Sequence, residues 1–269
     1  MLGINSHNGF PIPLEFRYPL LKKAGFDSMI LGWDNSEIAT RVDRVWLSKA
    51  FDLKIEHAHG SFKNINSLWI PGAEGDRTCR RLLREIGDCS EFGINTLVLH
   101  LTSGSTPPPV SEDGMQRLEY LVCFAEKSGV RLAFENMRVP QHLQTVLEHF
   151  NTPYVGLCYD SGHENLWTPD TDWLSLYKDR VFAIHLHDND GTADTHDLPF
   201  SGTVNWEKVT SAIAASCYTG SITLEVEFPG DAVHDTEAFR AFLCEAYKHG
   251  KMLEEKIHTH AKRNCCKMH

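Results

Sequence analysis

Several signals are missing from this chain of 269 residues, and each absence closes off a class of protein. No stretch approaches the roughly 18 uninterrupted apolar residues of a membrane-spanning helix. The opening MLGINSHNGF has neither a basic n-region nor an apolar h-region, so a soluble, cytoplasmic protein with no membrane partner is expected. Cysteines stand at 79, 89, 123, 158, 217, 244, 265 and 266, without a CxxC pair, which argues against a Cys-type structural zinc site. Five of them sit in apolar-periodic segments and read as buried free thiols of a reducing compartment. Positive charge is scarce too. The 26 Lys and Arg against 36 Asp and Glu leave a net charge of −10, which disfavours undirected binding to nucleic acid.

Core material is present in ordinary measure: 42% of the chain is hydrophobic and 23% charged, so a packed domain is expected rather than disorder. No Pro/Ser-rich linker divides the chain, which predicts one domain over residues 1–269, with 250–269 as a polar C-terminal tail. His249, His258, His260 and His269 go with that tail and carry no functional weight.

Short β-rich runs alternate with amphipathic helical stretches, the pattern of parallel βα units. Strands are predicted at Leu2–Asn5, Ser28–Gly32, Lys54–His59, Thr96–Leu101, Arg131–Asn136, Val155–Asp160, Val181–His187 and Ile222–Glu227. Between them, Leu118, Leu121, Val122 and Ala125 follow the i, i+3, i+4, i+7 spacing of a helix with one buried stripe. Leu143, Val146, Leu147 and Phe150 repeat it, as do Phe239, Phe242, Leu243 and Ala246. In "AGFDS", "FGINT" and "KSGVR" a glycine falls where a helix ends and a strand begins. Eight such units make a single (β/α)₈ barrel, whose typical length of roughly 250 residues this chain matches. The longest βα loops follow the third and seventh strands, at 60–76 and 188–205, and predict a lid and a wall of the site.

The chain is rich in one residue type, with 15 histidines. Away from the tail they share strand C-terminal ends with carboxylates: His59, His100, Glu135, Asp160, His185 or His187, and Glu225. Barrel enzymes build their sites at that face. Carboxylates buried together repel unless a cation or protons neutralise them, so the pattern predicts a divalent metal. Oxygen and imidazole ligands suit Mn²⁺, Mg²⁺, Co²⁺ or Zn²⁺.

In order, the segments "IEHAHGSF", "LVLHLTSG", "LAFENM", "LCYDSGH", "IHLHDNDGTADTHDLPFSG" and "TLEVEF" resemble the successive strand ends of the xylose isomerase-like barrel superfamily. That superfamily includes sugar isomerases and epimerases, inosose-processing enzymes and endonuclease IV-type nucleases. The resemblance implies metal ligands at Glu135, Asp160, His185 and Glu225, with Glu135 and Glu225 as a general base and acid exchanging a proton across a sugar or sugar phosphate. His185 is favoured by a His-x-x-acid spacing to Asp188; His187, which reaches Asp190 by the same spacing, is its rival. His163 resembles a family histidine that contacts the substrate near its carbonyl. The loop after the third strand offers Phe62 and Trp69 to stack on a sugar, and Arg138 and Lys63 are candidate anion contacts. The sequence shows no Gly-rich phosphate loop after the last two strands.

The same segments also fit the endonuclease IV-type pattern. His59, His100, Glu135, Asp160, His163, His185, Asp194, His196 and Glu225 fall where that branch holds three zinc ions, so more than one ion is allowed. The scarcity of Lys and Arg favours a small-molecule sugar over nucleic acid as the partner. A polyol dehydratase or isomerase and a non-catalytic metal-binding barrel are the remaining alternatives, and the resemblance allows a homo-oligomer.

Overall fold

The chain is described here by a computed structural model covering residues 1–34, 39–230 and 235–267. Cys265, Cys266 and His269, named above in the C-terminal segment, lie outside the described side chains. Strands and helices alternate as β1 (Leu2–Asn5), α1 (Leu14–Ala24), β2 (Ser28–Trp33), α2 (Arg41–Ala50) and β3 (Lys54–Gly60). They continue as α3 (Ala73–Phe92), β4 (Thr96–Leu99), α4 (Glu112–Ser128), β5 (Arg131–Glu135), α5 (Pro140–His149) and β6 (Val155–Asp160). The last are α6 (Ser161–Trp167), α7 (Trp173–Leu176), β7 (Val181–His185), α8 (Trp206–Ala215), β8 (Ile222–Leu224) and α9 (Thr236–Lys267).

The strands pair in the order β7-β6-β5-β4-β3-β2-β1-β8. The ring closes between its ends, where the Leu186 N–H donates to the Thr223 carbonyl at 3.0 Å and the Glu225 N–H donates to the Leu186 carbonyl at 3.1 Å. The result is a single (β/α)₈ barrel. The predicted helix stripes are buried: Leu118, Leu121, Val122 and Ala125 on α4, Leu143, Val146 and Leu147 on α5, and Phe239, Phe242, Leu243 and Ala246 on α9. Gly93 and Gly129 close α3 and α4 in the left-handed region, at φ 72° and 69°, which a glycine adopts without steric cost.

Three departures from the sequence expectation have local causes. Strands predicted to reach Leu101, Asn136, His187 and Glu227 stop two or three residues sooner, or one in the case of β5, where a side chain takes over the pairing. Asn136 Nδ2 donates to the Asp160 carbonyl at 2.9 Å while its Oδ1 accepts from the Asp160 N–H at 2.7 Å. The segment expected as a polar tail continues α9, whose buried stripe runs on through Leu253. Its other faces are polar, which hid the helix. Among the cysteines, Cys79, Cys89 and Cys158 are buried free thiols, but Cys123, Cys217 and Cys244 are exposed.

Inside the barrel the two-residue period of a strand sets the site's height. Val98, Ala133, Cys158 and Ala183 form a small buried cluster on β4 to β7. Two residues further on, in the same order, come His100, Glu135, Asp160 and His185. Small side chains thus floor the mouth, and the polar layer rests on them.

The loop after β3 is pinned from outside. A 3₁₀ turn at Ile65–Trp69 buries Ile65, Leu68 and Trp69. Arg117 on α4 donates to the carbonyls of Leu68 and Ile70, each at 2.8 Å, and of Gly72 at 3.3 Å, and pairs with Asp76 at 2.9 Å. Arg117→Met keeps the apolar stem but leaves these acceptors without their donor. It should destabilise the fold by on the order of 3 kcal/mol in denaturant titrations and speed proteolytic cutting within residues 61–72; unchanged melting and cutting would show that the loop is held otherwise.

Candidate active site

The strand ends bring the predicted carboxylates and imidazoles to one place. Glu135 ends β5, Asp160 ends β6, His185 ends β7, and Glu225 follows β8. One ligand atom from each of the four lies within 4.8 Å of the others. Asp160 and His185 are fully buried and Glu135 nearly so. His163, His187, Asp194 and His196 form a second group of the same kind, and His59, Glu135 and His185 a third.

The orientation of the imidazoles is fixed by acceptors. A carbonyl only accepts, so the ring nitrogen facing one carries the proton. His59 Nδ1–H donates to the Gly60 carbonyl at 3.0 Å, turning Nε2 to Glu135 Oε2 at 3.3 Å. His163 Nδ1–H donates to the Asn136 carbonyl at 3.1 Å, and its Nε2 lies 3.4 Å from Asp194. His196 Nδ1–H donates to the Glu225 carbonyl at 2.9 Å, with Nε2 3.5 Å from Asp194. Holding one ring nitrogen on a carbonyl so that the other meets the site is how proteins prepare imidazole for a metal. His100 Nε2 adds a contact to Glu135 Oε2 at 3.0 Å.

His187, the rival of His185, is equally buried but has different neighbours. Its Nε2 lies 3.0 Å from Asp160 Oδ1, and its ring stacks on His196 with centroids 3.9 Å apart. Gly162 makes the room, since a Cβ there would come within 2.0 Å of the His187 ring. His187 therefore orients Asp160, whereas His185 Nδ1 lies 3.1 Å from Glu225 and 3.5 Å from Glu135. The acids three residues beyond each histidine also separate. Asp188 is buried and ties the following loop, accepting from the Val204 N–H at 3.0 Å and from Trp206 Nε1–H at 2.8 Å, while Asp190 is exposed.

The predicted lid divides. Phe62 is exposed and stacks on His100, with centroids 4.9 Å apart and planes 11° apart. Trp69 does not belong to the site: it is 1% exposed, its Nε1–H donates to the Leu101 carbonyl at 2.7 Å, and it lines neither cavity at the mouth. Gly114 opens α4 with no Cβ, and the indole fills that place. Arg138 lies over the Trp167 ring at 4.4 Å and lines a cavity of about 510 Å³ with Thr102, Ser103, Glu135 and His163. A second cavity of about 540 Å³ holds Lys63, His7 and Asp34. The two meet at His59, Phe62, His196, Glu225 and Glu227. Glu227 had no assigned role in the ligand set; its place on the face of Glu225, two residues on, was the signal for it. His57, two residues before His59, was missed although the same period placed it on the inward face.

Electrostatics follow from this packing. Burial by itself raises the pKa of Glu135, and the neighbouring His100 and His185 more than offset it, holding the carboxyl well below the usual range. Glu225 is likewise lowered against burial, chiefly by His185. Burial opposes charge on His163 and His185 too, yet both are raised, His163 by Asp160 and Asp194 and His185 by Cys158 and Glu225.

A profile described as Xylose isomerase-like TIM barrel matches residues 19–243. The chain belongs to this family. The chain is similar to the uncharacterized protein MJ1311 of Methanocaldococcus jannaschii, 22% identical in an alignment 205 positions long that covers 69% of each chain. The uncharacterized protein y4fM of Sinorhizobium fredii is 41% identical over 81 residues, and that match spans 30% of this chain and only 26% of y4fM. Among solved barrels of similar shape, an L-ribulose 3-epimerase superimposes with a TM-score of 0.76 at 14% identity, covering 98% of this chain and 96% of that one. A D-tagatose 3-epimerase-like protein gives 0.71 at 16% identity, covering 97% and 98%. The IOLI protein with a binding zinc atom gives 0.72 at 16% identity, covering 96% and 98%.

The Asp194–His196 pair gives this barrel a pH signature. Burial works against the charge of His196, and the Asp194 partner outweighs it and lifts the pKa to about 10. A raised histidine contributes stability fully below its unfolded pKa of about 6.5 and loses it as pH rises toward the folded value. Asp194 is lowered, so its share is present above about 4 and lost on acidification. In chelator, the melting temperature of wild type should exceed that of His196→Asn most between about pH 4 and 6.5 and converge with it toward pH 10; a difference that grows with pH would contradict the pairing.

Proposed function

We propose that the chain is a divalent-metal-dependent sugar isomerase or epimerase, with Glu135, Asp160, His185 and Glu225 as ligands and Glu135 and Glu225 as the acid-base pair. The observation that carries the metal is a pair of orphaned atoms. Glu135 Oε1 and His185 Nδ1 are buried 3.5 Å apart and neither makes a hydrogen bond among the described residues, although His163 Nδ1 lies 3.1 Å from the first and Glu225 Oε2 3.1 Å from the second. Buried polar atoms are nearly always hydrogen-bonded, and a carboxylate oxygen and an imidazole nitrogen without such a bond beside two further acids suit a hard or borderline cation such as Mn²⁺, Mg²⁺, Co²⁺ or Zn²⁺. When bound there, the cation stabilises the negative oxygens that develop as a proton leaves the carbon beside a carbonyl.

The chain's own residues supply the rest. Glu135 and Glu225 reach the mouth from separate strands, so a sugar lying between them can lose a proton to one carboxylate and regain it from the other. His163, held through the Asn136 carbonyl, is placed to contact the substrate oxygens. Phe62 covers the opening and limits water. The barrels of similar shape that process sugars support the same reading, as does the small number of cationic side chains at the mouth, where Lys63 and Arg138 line the cavities.

Glu135→Gln and Glu225→Gln should each lower exchange of the substrate's carbon-bound proton with solvent deuterium by roughly 10²–10⁴-fold while leaving the circular dichroism unchanged. Exchange at the wild-type rate in both would sink the mechanism. Because His185 must lose its proton to bind a cation, and its pKa is raised, metal affinity should climb as pH rises above neutrality; affinity falling over that range would oppose the ligand set.

One observation favours a second reading. Three adjoining clusters hold nine residues, the expected nine with His187 in place of His100, and His100 stands beside them at 3.0 Å from Glu135; nine is the number of ligands the resemblance assigns to a trinuclear phosphodiesterase. Metal analysis of purified protein separates the readings: one ion per chain supports the sugar enzyme, and three zinc ions together with cleavage of abasic DNA would replace it.

A further inference from the structure

We infer that His57 is a positioning residue for His185, holding that ring from inside the barrel so that Nδ1 faces Glu135 and Glu225; the inference rests on the cation site proposed above. Four of the other rings at the mouth are oriented by backbone carbonyls, Gly60 for His59, Asn136 for His163, Asp188 for His187 and Glu225 for His196. His185 differs. Its Nε2 lies 3.0 Å from Nε2 of His57, and the two rings lie 25° from parallel with centroids 5.1 Å apart.

The barrel builds this contact. His57 and His59 are two apart on β3 and share the inward face, so His57 sits one layer beneath the mouth. That layer is otherwise lined on β4 to β7 by Val98, Ala133, Cys158 and Ala183, which leave space for an imidazole. His57 is 1% exposed, and its Nδ1 has no hydrogen-bond partner among the described residues. Packing does not account for it: an apolar side chain of similar volume would fill the space without stranding a polar atom.

What an imidazole offers here, and a carbonyl does not, is a partner that both donates and accepts. With a cation on Nδ1, His185 carries its proton on Nε2 and donates it to the Nε2 lone pair of His57. With Nδ1 protonated and turned to Glu225, His185 Nε2 instead accepts from His57 Nε2–H. Either way the ring keeps one orientation, and the site is ready before the ion arrives.

Calorimetric titration of the chelator-stripped full chain with Zn²⁺ tests this on wild type, His57→Leu and His57→Gln. His57→Leu should bind Zn²⁺ about 10–100-fold more weakly, the usual cost of losing such a partner, while the metal-free melting temperature stays within a few degrees of wild type. His57→Gln, whose amide also donates and accepts, should recover most of the affinity. Wild-type affinity in His57→Leu, or equal loss in both variants, overturns the positioning role while leaving the cation site standing. A wild type that takes up no Zn²⁺ overturns both. Should His57→Leu not fold, imidazole ¹⁵N shifts of the zinc-loaded wild type decide: a protonated Nε2 on His185 supports the role, and a protonated Nδ1 overturns it.

Discussion

The mouth of this barrel depends on one electrostatic constraint: carboxylates cannot be crowded into a dry space with nothing positive between them. Glu135, Asp160 and Glu225 are such a crowd, and histidines are placed around them on nearly every side. Part of the requirement is met by imidazole protons, as the raised His163 and His196 and the lowered Glu135 show. Glu135 Oε1 and His185 Nδ1 still make no hydrogen bond among the described residues, and the proposed cation would meet the rest of the requirement there.

Much of the surrounding structure serves to keep those groups apart by a few ångströms. Small residues on β4 to β7 carry the polar layer on a firm floor, and Asn136 ties the end of β5 to that of β6. Gly162 admits the His187 ring, which in turn holds Asp160. Asp188 closes the long loop after β7 onto Val204 and Trp206, and that loop brings Asp194 and His196 back over the mouth. Arg117 does the same from outside for the loop that carries Phe62. Rigid positioning of this sort is what proton transfer between two fixed carboxylates demands.

The barrel was legible because its signals are local and repeated. Period-two strands, helical stripes and closing glycines recur along the chain, and each predicted strand is present within a few residues. The four-residue cluster was legible for a related reason, since residues at successive strand ends must meet once the strands form a ring. Less could be read where side-chain direction decides. Trp69 has the composition of a lid residue, and only the packing of the 3₁₀ turn against Gly114 sends it inward. The helix over 250–267 shows one apolar stripe among polar residues, and its burial depends on the barrel wall it meets.

The sequence by itself determined the eightfold alternation, the strand ends and the set of acids and imidazoles that lie there, because periodicity and residue type are properties of the chain. The tertiary structure set the different neighbours of His185 and His187, which share one strand face: Glu135 and Glu225 for the first, Asp160 and His196 for the second. It also decided which ring nitrogen meets a carbonyl, and it placed His57 beneath His185 from a distant strand. Those choices are made over distances of about 3 Å between segments remote in sequence, and only the closed barrel sets them.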